Sequence, residues 1–238
     1  MTTSRAFALA PDGLTVEGAT YADPAALTNV LGLDPAAPPN LFALDTARLA
    51  RALRQLPSVD PLRADAVAVR VVLPDRLVVE LHERTPIMLW VADGQRFLVD
   101  VDGVALGLAG DAPPAGLPLI SDDRASATAF QVGAQLTDID LAVARLIGAL
   151  TPALLGSSAT SLAFEVGDEE GWVVRPADGT WRAVFGIYTT HGRGPDLVAA
   201  QVQCLASLLA GKEASVAVAY LFPEGGRCGT YAKPAASP

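Results

Sequence analysis

The chain has 238 residues, of which 51% are hydrophobic and 18% charged, and its formal net charge is −9 at pH 7. This composition is typical of packed cores and argues against an intrinsically disordered protein. The negative charge disfavours nucleic-acid phosphates and anionic membrane surfaces as general partners. No segment predicts a membrane span, because the longest uncharged run, 146–164, contains a proline and a glycine.

The first 60 residues predict one strand and two helices. Residues 14–18 alternate apolar and polar side chains and end on glycine, which indicates a short strand. Asp23 precedes a proline, a pair typical of a helix start, and this helix should end at Gly32. Asp45 should open a second helix, which Pro57 ends.

The stretch 73–86 predicts the second half of a β-hairpin. It follows a valine-rich run, 64–72, and the proline and aspartate at 74–75 are a turn signal between the two strands. Apolar residues at period two should form the buried side: Leu77, Val79 and Leu81. Polar residues should form the opposite side: Glu80, His82 and Arg84.

The rest of the chain predicts many short strands and two further helices. The expected strands are 87–92, 96–101, 104–108, 161–166, 171–175, 181–185 and 214–222. Asp-Gly pairs at 93–94 and 102–103 are strong hairpin signals. Asp138 should cap one helix, and Pro195 should open a longer one that stops at Gly211. In order, these elements predict an α+β protein.

Catalysis finds little support in the residues. His82 and His191 could act as general bases, but the first belongs to a polar strand face and the second to a glycine-containing loop. The acidic run 168–170 could hold a metal, although a solvated turn explains it better. Gly192-Arg193-Gly194 is a weak match to a nucleotide-binding loop. The chain is therefore expected not to be an enzyme, to need no cofactor and to hold no metal, and an uncharacterised hydrolase is the weakest hypothesis.

The two cysteines, Cys204 and Cys228, leave two interpretations open. They could form one disulfide, or they could be two small buried hydrophobic residues. Because Cys204 falls on the apolar side of a predicted helix, the sequence favours the second interpretation.

A further set of residues carries a family resemblance through its order and spacing. The matching positions in the first part of the chain are Val16, Gly18, Asn40, Leu41, Phe42, Leu44, Asp45, Leu56, Pro57 and Val59. Those in the hairpin and beyond it are Leu73, Pro74, Leu77, Val79, Glu83, Arg84, Pro86, Trp90, Leu98, Val99, Asp100 and Gly103. Weaker matches follow at Leu117, Pro118, Ile120, Phe185 and Gly186. Over roughly residues 14–231 the chain resembles the FtsQ (DivIB) family of bacterial cell-division proteins.

The resemblance implies a domain plan. Residues 13–84 would form a small β-α-α-β-β domain of the FtsQ-type POTRA kind. Residues 85–232 would form the family's larger, mostly antiparallel β domain with two helices, and 233–238 a tail. The segment 60–65 is a few residues longer than the family's usual step into the second strand.

The resemblance also implies a role and a location. Such a protein is a non-catalytic scaffold of the division machinery that docks FtsB- and FtsL-type partners. It lies on the extracytoplasmic side of the cell membrane, held by a single transmembrane helix that would precede residue 14 and that we expect to be missing from this chain. The alternative is a POTRA-type module that binds a peptide strand in protein secretion or outer-membrane assembly.

The resemblance points to the last strand and the segment after it, 219–231, as the partner contact. The candidate partner-binding residues are Leu221, Phe222, Glu224, Gly229, Thr230 and Tyr231. Phe222 and Tyr231 could instead close the core. Glu83, Arg84 and Pro86 should form the hinge between the two domains.

Overall fold

The structure is a computed structural model that describes residues 7–33, 37–221 and 228–232. It contains helices and strands in an α+β arrangement, as the sequence predicts. The described residues form two sheets, one of three strands and one of nine.

The small sheet has the strand order β1-β3-β2, with β1 parallel and β2 antiparallel to β3. Its elements are β1 (Leu14–Glu17), α1 (Pro24–Leu31), α2 (Thr46–Leu53), β2 (Val67–Val72) and β3 (Arg76–Leu81). As predicted, the Asp23 side chain caps α1 and the helix ends at Gly32, which adopts the left-handed conformation. Asp45 caps α2 in the same way.

The hairpin prediction is confirmed, including its buried face. Val71 pairs with Leu77 and Val69 with Val79 in the antiparallel register of β2 and β3. The predicted apolar side is buried against the two helices or the adjoining apolar cluster: Leu77, Val79 and Leu81. Alternation at period two therefore determines which face of this sheet is covered.

The large sheet has the strand order β12-β11-β10-β9-β8-β7-β4-β5-β6. Its first strands are β4 (Pro86–Ala92), β5 (Gln95–Asp100), β6 (Ala105–Leu108) and β7 (Leu119–Asp122). Its later strands are β8 (Leu162–Gly167), β9 (Gly171–Pro176), β10 (Arg182–Gly186), β11 (Val218–Tyr220) and β12 (Thr230–Ala232). Within the described residues five of its eight pairings are antiparallel, and three are parallel: β4 with β7, β7 with β8, and β10 with β11.

Two helices, α3 (Asp138–Gly148) and α4 (Val198–Leu209), pack on one face of the large sheet. The shared core contains all three tryptophans of the chain, at 90, 172 and 181, together with Leu205 and Leu209 of α4. A smaller apolar cluster on β4, β5 and β6 contacts Tyr21, which comes just before α1. This contact brings the two sheets together.

Five sequence expectations are wrong in detail. Helix α2 ends at Leu53 rather than at Pro57. Thr137, not Asp138, caps α3, because its hydroxyl accepts the N–H of Asp140. Pro195 opens a 3-10 turn, Pro195–Leu197, ahead of the α4 helix itself. In the described part of the run 214–222, the strand is limited to the three residues of β11, because the run begins in a 3-10 turn. Two strands, β7 and β12, were not predicted at all.

No helix among the described residues is long and apolar enough to cross a bilayer.

Candidate functional site

The candidate partner-binding site lies at one edge of the large sheet. β12 pairs with β11 in an antiparallel register, with Ala219 opposite Tyr231 and Tyr220 opposite Thr230. No further strand of the described chain follows β12 in the sheet order. In an antiparallel ladder alternate residues direct their N–H and C=O groups away from the partner strand. Among the described strands, β12 therefore presents backbone donors and acceptors on its side away from β11, as an edge strand does.

The structure separates the predicted partner-binding residues into two groups. Thr230 and Tyr231 are exposed, with Tyr231 at 43%, and Gly229 is partly buried. Leu221 is fully buried in the core, its N–H donates to Val184 and its C=O accepts from Gln201, so the prediction of a direct partner contact is wrong for it. Phe222 and Glu224 lie outside the described residues.

β11 cannot itself be the exposed final strand that the sequence suggested. It lies between β10 and β12, and so has a hydrogen-bonded neighbour on each side. The edge strand is instead β12, the next strand along the chain, which carries Thr230 and Tyr231.

Cys204 and Cys228 form a disulfide, with their Cα atoms 5.2 Å apart. The expectation of two separate buried thiols is therefore wrong. Cys204 does lie on the buried side of α4, as expected, but the chain returns to the same place when β12 pairs with β11. The bond attaches the exposed residue Cys228, two positions before β12, to the helix that packs on the core.

Gln201 is a second attachment from the same helix, and the sequence analysis missed it. Its side chain is fully buried, and its Nε2 donates to the carbonyl oxygens of Phe185 at 2.7 Å and of Leu221 at 2.9 Å. Its Oε1 accepts from the hydroxyl of Tyr188, and burial raises the pKa of that phenol. Both N–H groups of the amide and its oxygen are thereby hydrogen-bonded where β10 and β11 end.

Gly229 lies where the chain comes close to the end of β11. A Cβ atom at this position would lie 2.5 Å from the carbonyl oxygen of Tyr220 and 3.3 Å from the Sγ of Cys204. Because real Cβ atoms do not approach a backbone oxygen so closely, any side chain here would push β12 away from β11. The glycine thus permits the approach of the edge strand.

Glu83 joins the segment after β3 to the segment before α1. Its carboxylate accepts the backbone N–H groups of Thr20 at 2.6 Å, Tyr21 at 2.7 Å and Ala22 at 2.6 Å. Three N–H donors on one carboxylate form a charge-assisted cluster, which is stronger than neutral hydrogen bonds. Glu83 also forms an isolated antiparallel bridge with Val59.

Arg84 connects the small sheet to the first hairpin of the large one. Its guanidinium contacts the carboxylates of Asp100 and Asp102, and its Nε donates to the Val59 carbonyl at 3.4 Å. Asp100 is buried, and its other oxygen accepts the N–H groups of Asp102 at 3.0 Å and Val104 at 2.8 Å. Although the sequence places Arg84 on the polar side of the hairpin, its side chain is only 17% exposed.

The predicted hinge residues thus lie between the two sheets. Pro86 is buried at the start of β4 and pairs with Asp100. Glu83 and Arg84 hold the segments on either side through the bonds just described. That the two sheets move about this point stays a prediction. Beside the junction a cavity of about 780 Å³ opens between the Tyr21 segment and the β6 strand.

Two further polar networks hold the large sheet together. Arg124, after β7, donates to Asp122 at 2.8 Å and to Asp140 of α3 at 3.0 Å, and this bonding raises its pKa. Glu213, after α4, accepts from Ser157, from Ser158 at 2.8 Å and from the indole N–H of Trp181 at 2.7 Å. Burial alone would raise the pKa of Glu213, but these hydrogen bonds outweigh it and hold the pKa at about 2.

The residues that could have suggested catalysis lie apart from one another. His82 is exposed, 3.9 Å from Asp65, and His191 is exposed in the segment before α4. In the acidic turn between β8 and β9, Asp168 accepts the N–H of Ala125 at 2.8 Å. Across residues 7–33, 37–221 and 228–232, no three His, Cys, Asp or Glu side chains are grouped so that they could hold a metal ion.

Comparison with known proteins adds no relative: no family model matches the chain, and no curated protein matches it significantly.

Proposed function

We propose that this chain is the extracytoplasmic part of an FtsQ-type cell-division protein, a non-catalytic scaffold that docks FtsB- and FtsL-type partners for septum assembly. The observation that carries the proposal is the open β12 edge, which bears the exposed Tyr231 on the strand that the resemblance implicates. The α+β arrangement of a three-stranded unit followed by a larger sheet supports it as well.

A strand of the partner would extend the sheet at β12. Each backbone hydrogen bond contributes only about 1 kcal/mol net, and β12 has three residues, so side chains must supply much of the affinity. Tyr231 is suited to that role, since aromatic residues dominate the binding energy of many interfaces. Its hydroxyl can also find a polar partner at the rim of the contact.

The disulfide supports the extracytoplasmic location. Disulfides persist in oxidising compartments and are rare where cellular thiols keep cysteines reduced. A Cys204–Cys228 bond next to the proposed docking edge is what a chain that functions outside the cytoplasm can maintain.

The test is co-purification of the oxidised chain with the FtsB-type protein encoded in the same genome. We expect binding by the unaltered chain and a roughly tenfold weaker Kd for Tyr231→Ala, the effect of losing an interfacial anchor. The matched control is Leu154→Ala, because Leu154 is 63% exposed and lies in a turn outside the sheet. Failure of the unaltered chain to bind, with its circular dichroism spectrum intact, would contradict the proposal.

The second candidate function, a POTRA-type module that binds a peptide strand, has one observation in its favour. β2 is an edge strand of the small sheet, and Val72 at its end is 42% exposed. A peptide bound along β2 would lose affinity when Val71 of that strand is replaced by proline, because proline has no N–H to donate to the added strand. Tyr231→Ala would leave such binding unchanged, which separates the two candidates.

A further inference from the structure

The edge strand β12 has few attachments of its own. It consists of three residues, all exposed, and it pairs with β11 alone among the described strands. One additional backbone bond, from the Ala217 N–H to the Ala232 carbonyl, measures 2.8 Å. A strand this short at a sheet edge needs a further constraint to keep a single conformation.

One face of α4 holds the residue after β11 and a residue just before β12, and of these two attachments the second constrains β12 itself. Gln201 and Cys204 are three residues apart and therefore neighbours on the helix surface. Gln201 holds Leu221, at the end of β11, through a hydrogen bond to its carbonyl oxygen. Cys204 holds Cys228, just before β12, through the disulfide. The first attachment is insensitive to reductants, whereas the second is lost on reduction.

The two sulfurs also differ in access. Cys204 is only 6% exposed, whereas Cys228 is exposed. An external thiolate can therefore reach the Sγ of Cys228, and the Sγ of Cys204 is then the leaving group. Reduction frees the Cys228 side of the bond while the core around α4, including Leu205 and Leu209, stays packed.

We propose that the Cys204–Cys228 disulfide is a redox latch that holds β12 in its binding conformation, so that the chain docks its partner only when oxidised. This inference rests on the proposed function, because the latch acts on the same edge. It would keep the open edge unformed while the chain is on the thiol-reducing side of the membrane and complete it on the oxidising side.

The redox step is a two-electron exchange with a dithiol. The thiolate of the dithiol attacks the Sγ of Cys228, the S–S bond breaks, and Cys204 leaves as a thiolate that takes up a proton. The second thiolate of the reductant then attacks the reductant's own sulfur in the mixed disulfide, that S–S bond breaks, and Cys228 leaves as a thiolate that takes up a proton. The dithiol ends as a cyclic disulfide, and both cysteines end as thiols.

The test compares the oxidised chain, the chain reduced with dithiothreitol, and the Cys228→Ser variant. We expect the reduced chain and the variant to bind the FtsB-type partner at least about tenfold more weakly than the oxidised chain, because an edge that is not preorganised must be ordered on binding. The affinity of Cys228→Ser should not change with dithiothreitol. Amide exchange at Thr230 and Tyr231 should accelerate on reduction, while exchange in β9 and α4 stays slow.

Equal binding by the oxidised and reduced chains would overturn the latch and leave the proposed function standing. Global unfolding on reduction would also overturn it, because the bond would then be needed for the whole fold. If the oxidised chain itself binds no partner, the proposed function fails. In that case unchanged amide exchange at Thr230 and Tyr231 on reduction overturns the latch independently. Faster exchange confined to β12 would instead support the claim that the disulfide holds this strand in place.

Discussion

The backbone N–H of Tyr21 donates a 2.7 Å hydrogen bond to the carboxylate of Glu83, while the Tyr21 side chain packs on the apolar cluster of β4, β5 and β6. One residue of the small unit is thus held by its main chain at the junction and by its ring on the large sheet. Gly107 permits this approach, since a Cβ there would lie 2.7 Å from the Tyr21 carbonyl oxygen. The relative position of the two sheets therefore depends on Glu83.

Replacing Glu83 with alanine should destabilise the chain by about 2 kcal/mol, because three backbone N–H groups lose a charged acceptor. Urea denaturation followed by circular dichroism measures the change. The control is Glu80→Ala, since Glu80 pairs with the exposed Arg70 and such surface pairs contribute little. An equal decrease in the free energy of unfolding for the two variants would mean that the hydrogen bonds of Glu83 stabilise the fold no more than a surface ion pair does.

Replacing Arg84 with methionine should cost about 3 kcal/mol, because the buried Asp100 carboxylate loses its cationic partner. The double variant Arg84→Met, Asp100→Asn should be more stable than the sum of the single changes predicts, since the uncompensated charge is gone. A double-mutant cycle in urea measures this coupling, and strict additivity would contradict it.

Acid should weaken the fold partly through Glu213, whose pKa is about 2 in the folded chain against an ordinary value of 4.5. A lowered folded-state pKa gives stability that is complete above the unfolded value and is lost as the pH falls from about 4.5 to about 2. Because solvent reaches part of this carboxylate, we expect a contribution of about 1–2 kcal/mol.

The Glu213 contribution can be isolated with Glu213→Gln. The variant should be less stable than the unaltered chain at pH 7, and the difference should shrink as the pH falls toward 2.5. Denaturation curves at several pH values measure it. A difference that stays constant over this range would show that the charge of Glu213 does not matter.

Replacing Gly229 with alanine should displace β12 from β11, because the new Cβ would lie 2.5 Å from the Tyr220 carbonyl oxygen. We expect faster amide exchange at Thr230 and Tyr231, loss of partner binding, and a change in overall stability below about 1 kcal/mol, since an edge segment opens locally. Gly110→Ala is the control, because a Cβ there meets no atom within 4 Å. Normal exchange in the Gly229 variant would argue against the close approach.

Local signals predicted the elements of the small unit well. Asp23, Asp45 and Gly32 mark helix ends through hydrogen bonds that span only a few residues, so each can be recognised in isolation. The alternation of Leu77, Val79 and Leu81 likewise predicts a buried face without knowledge of what covers it. The Asp-Gly pairs placed the turns of the β4–β5–β6 meander for the same reason.

Predictions failed where an element owes its existence to a distant neighbour. β7 and β12 have four and three residues, too few to show a period, and they are strands only because β4, β8 and β11 pair with them. Leu221 was expected at the surface because the sequence could not show that β11 lies inside the sheet. The burial of Gln201 could not be predicted, because in the sequence a glutamine within a helix is typical of an exposed position.

The sequence by itself determined the α+β class, the caps, the hairpin and the residues that the resemblance links to docking. Only the tertiary structure decided that β12 forms the open edge, that Cys204 and Cys228 meet, and that Glu83 and Arg84 bind both units. The physical reason is separation along the chain. Caps and turns are closed by bonds between near neighbours, whereas an edge, a disulfide across 24 residues and a junction exist only once strands far apart have found their register.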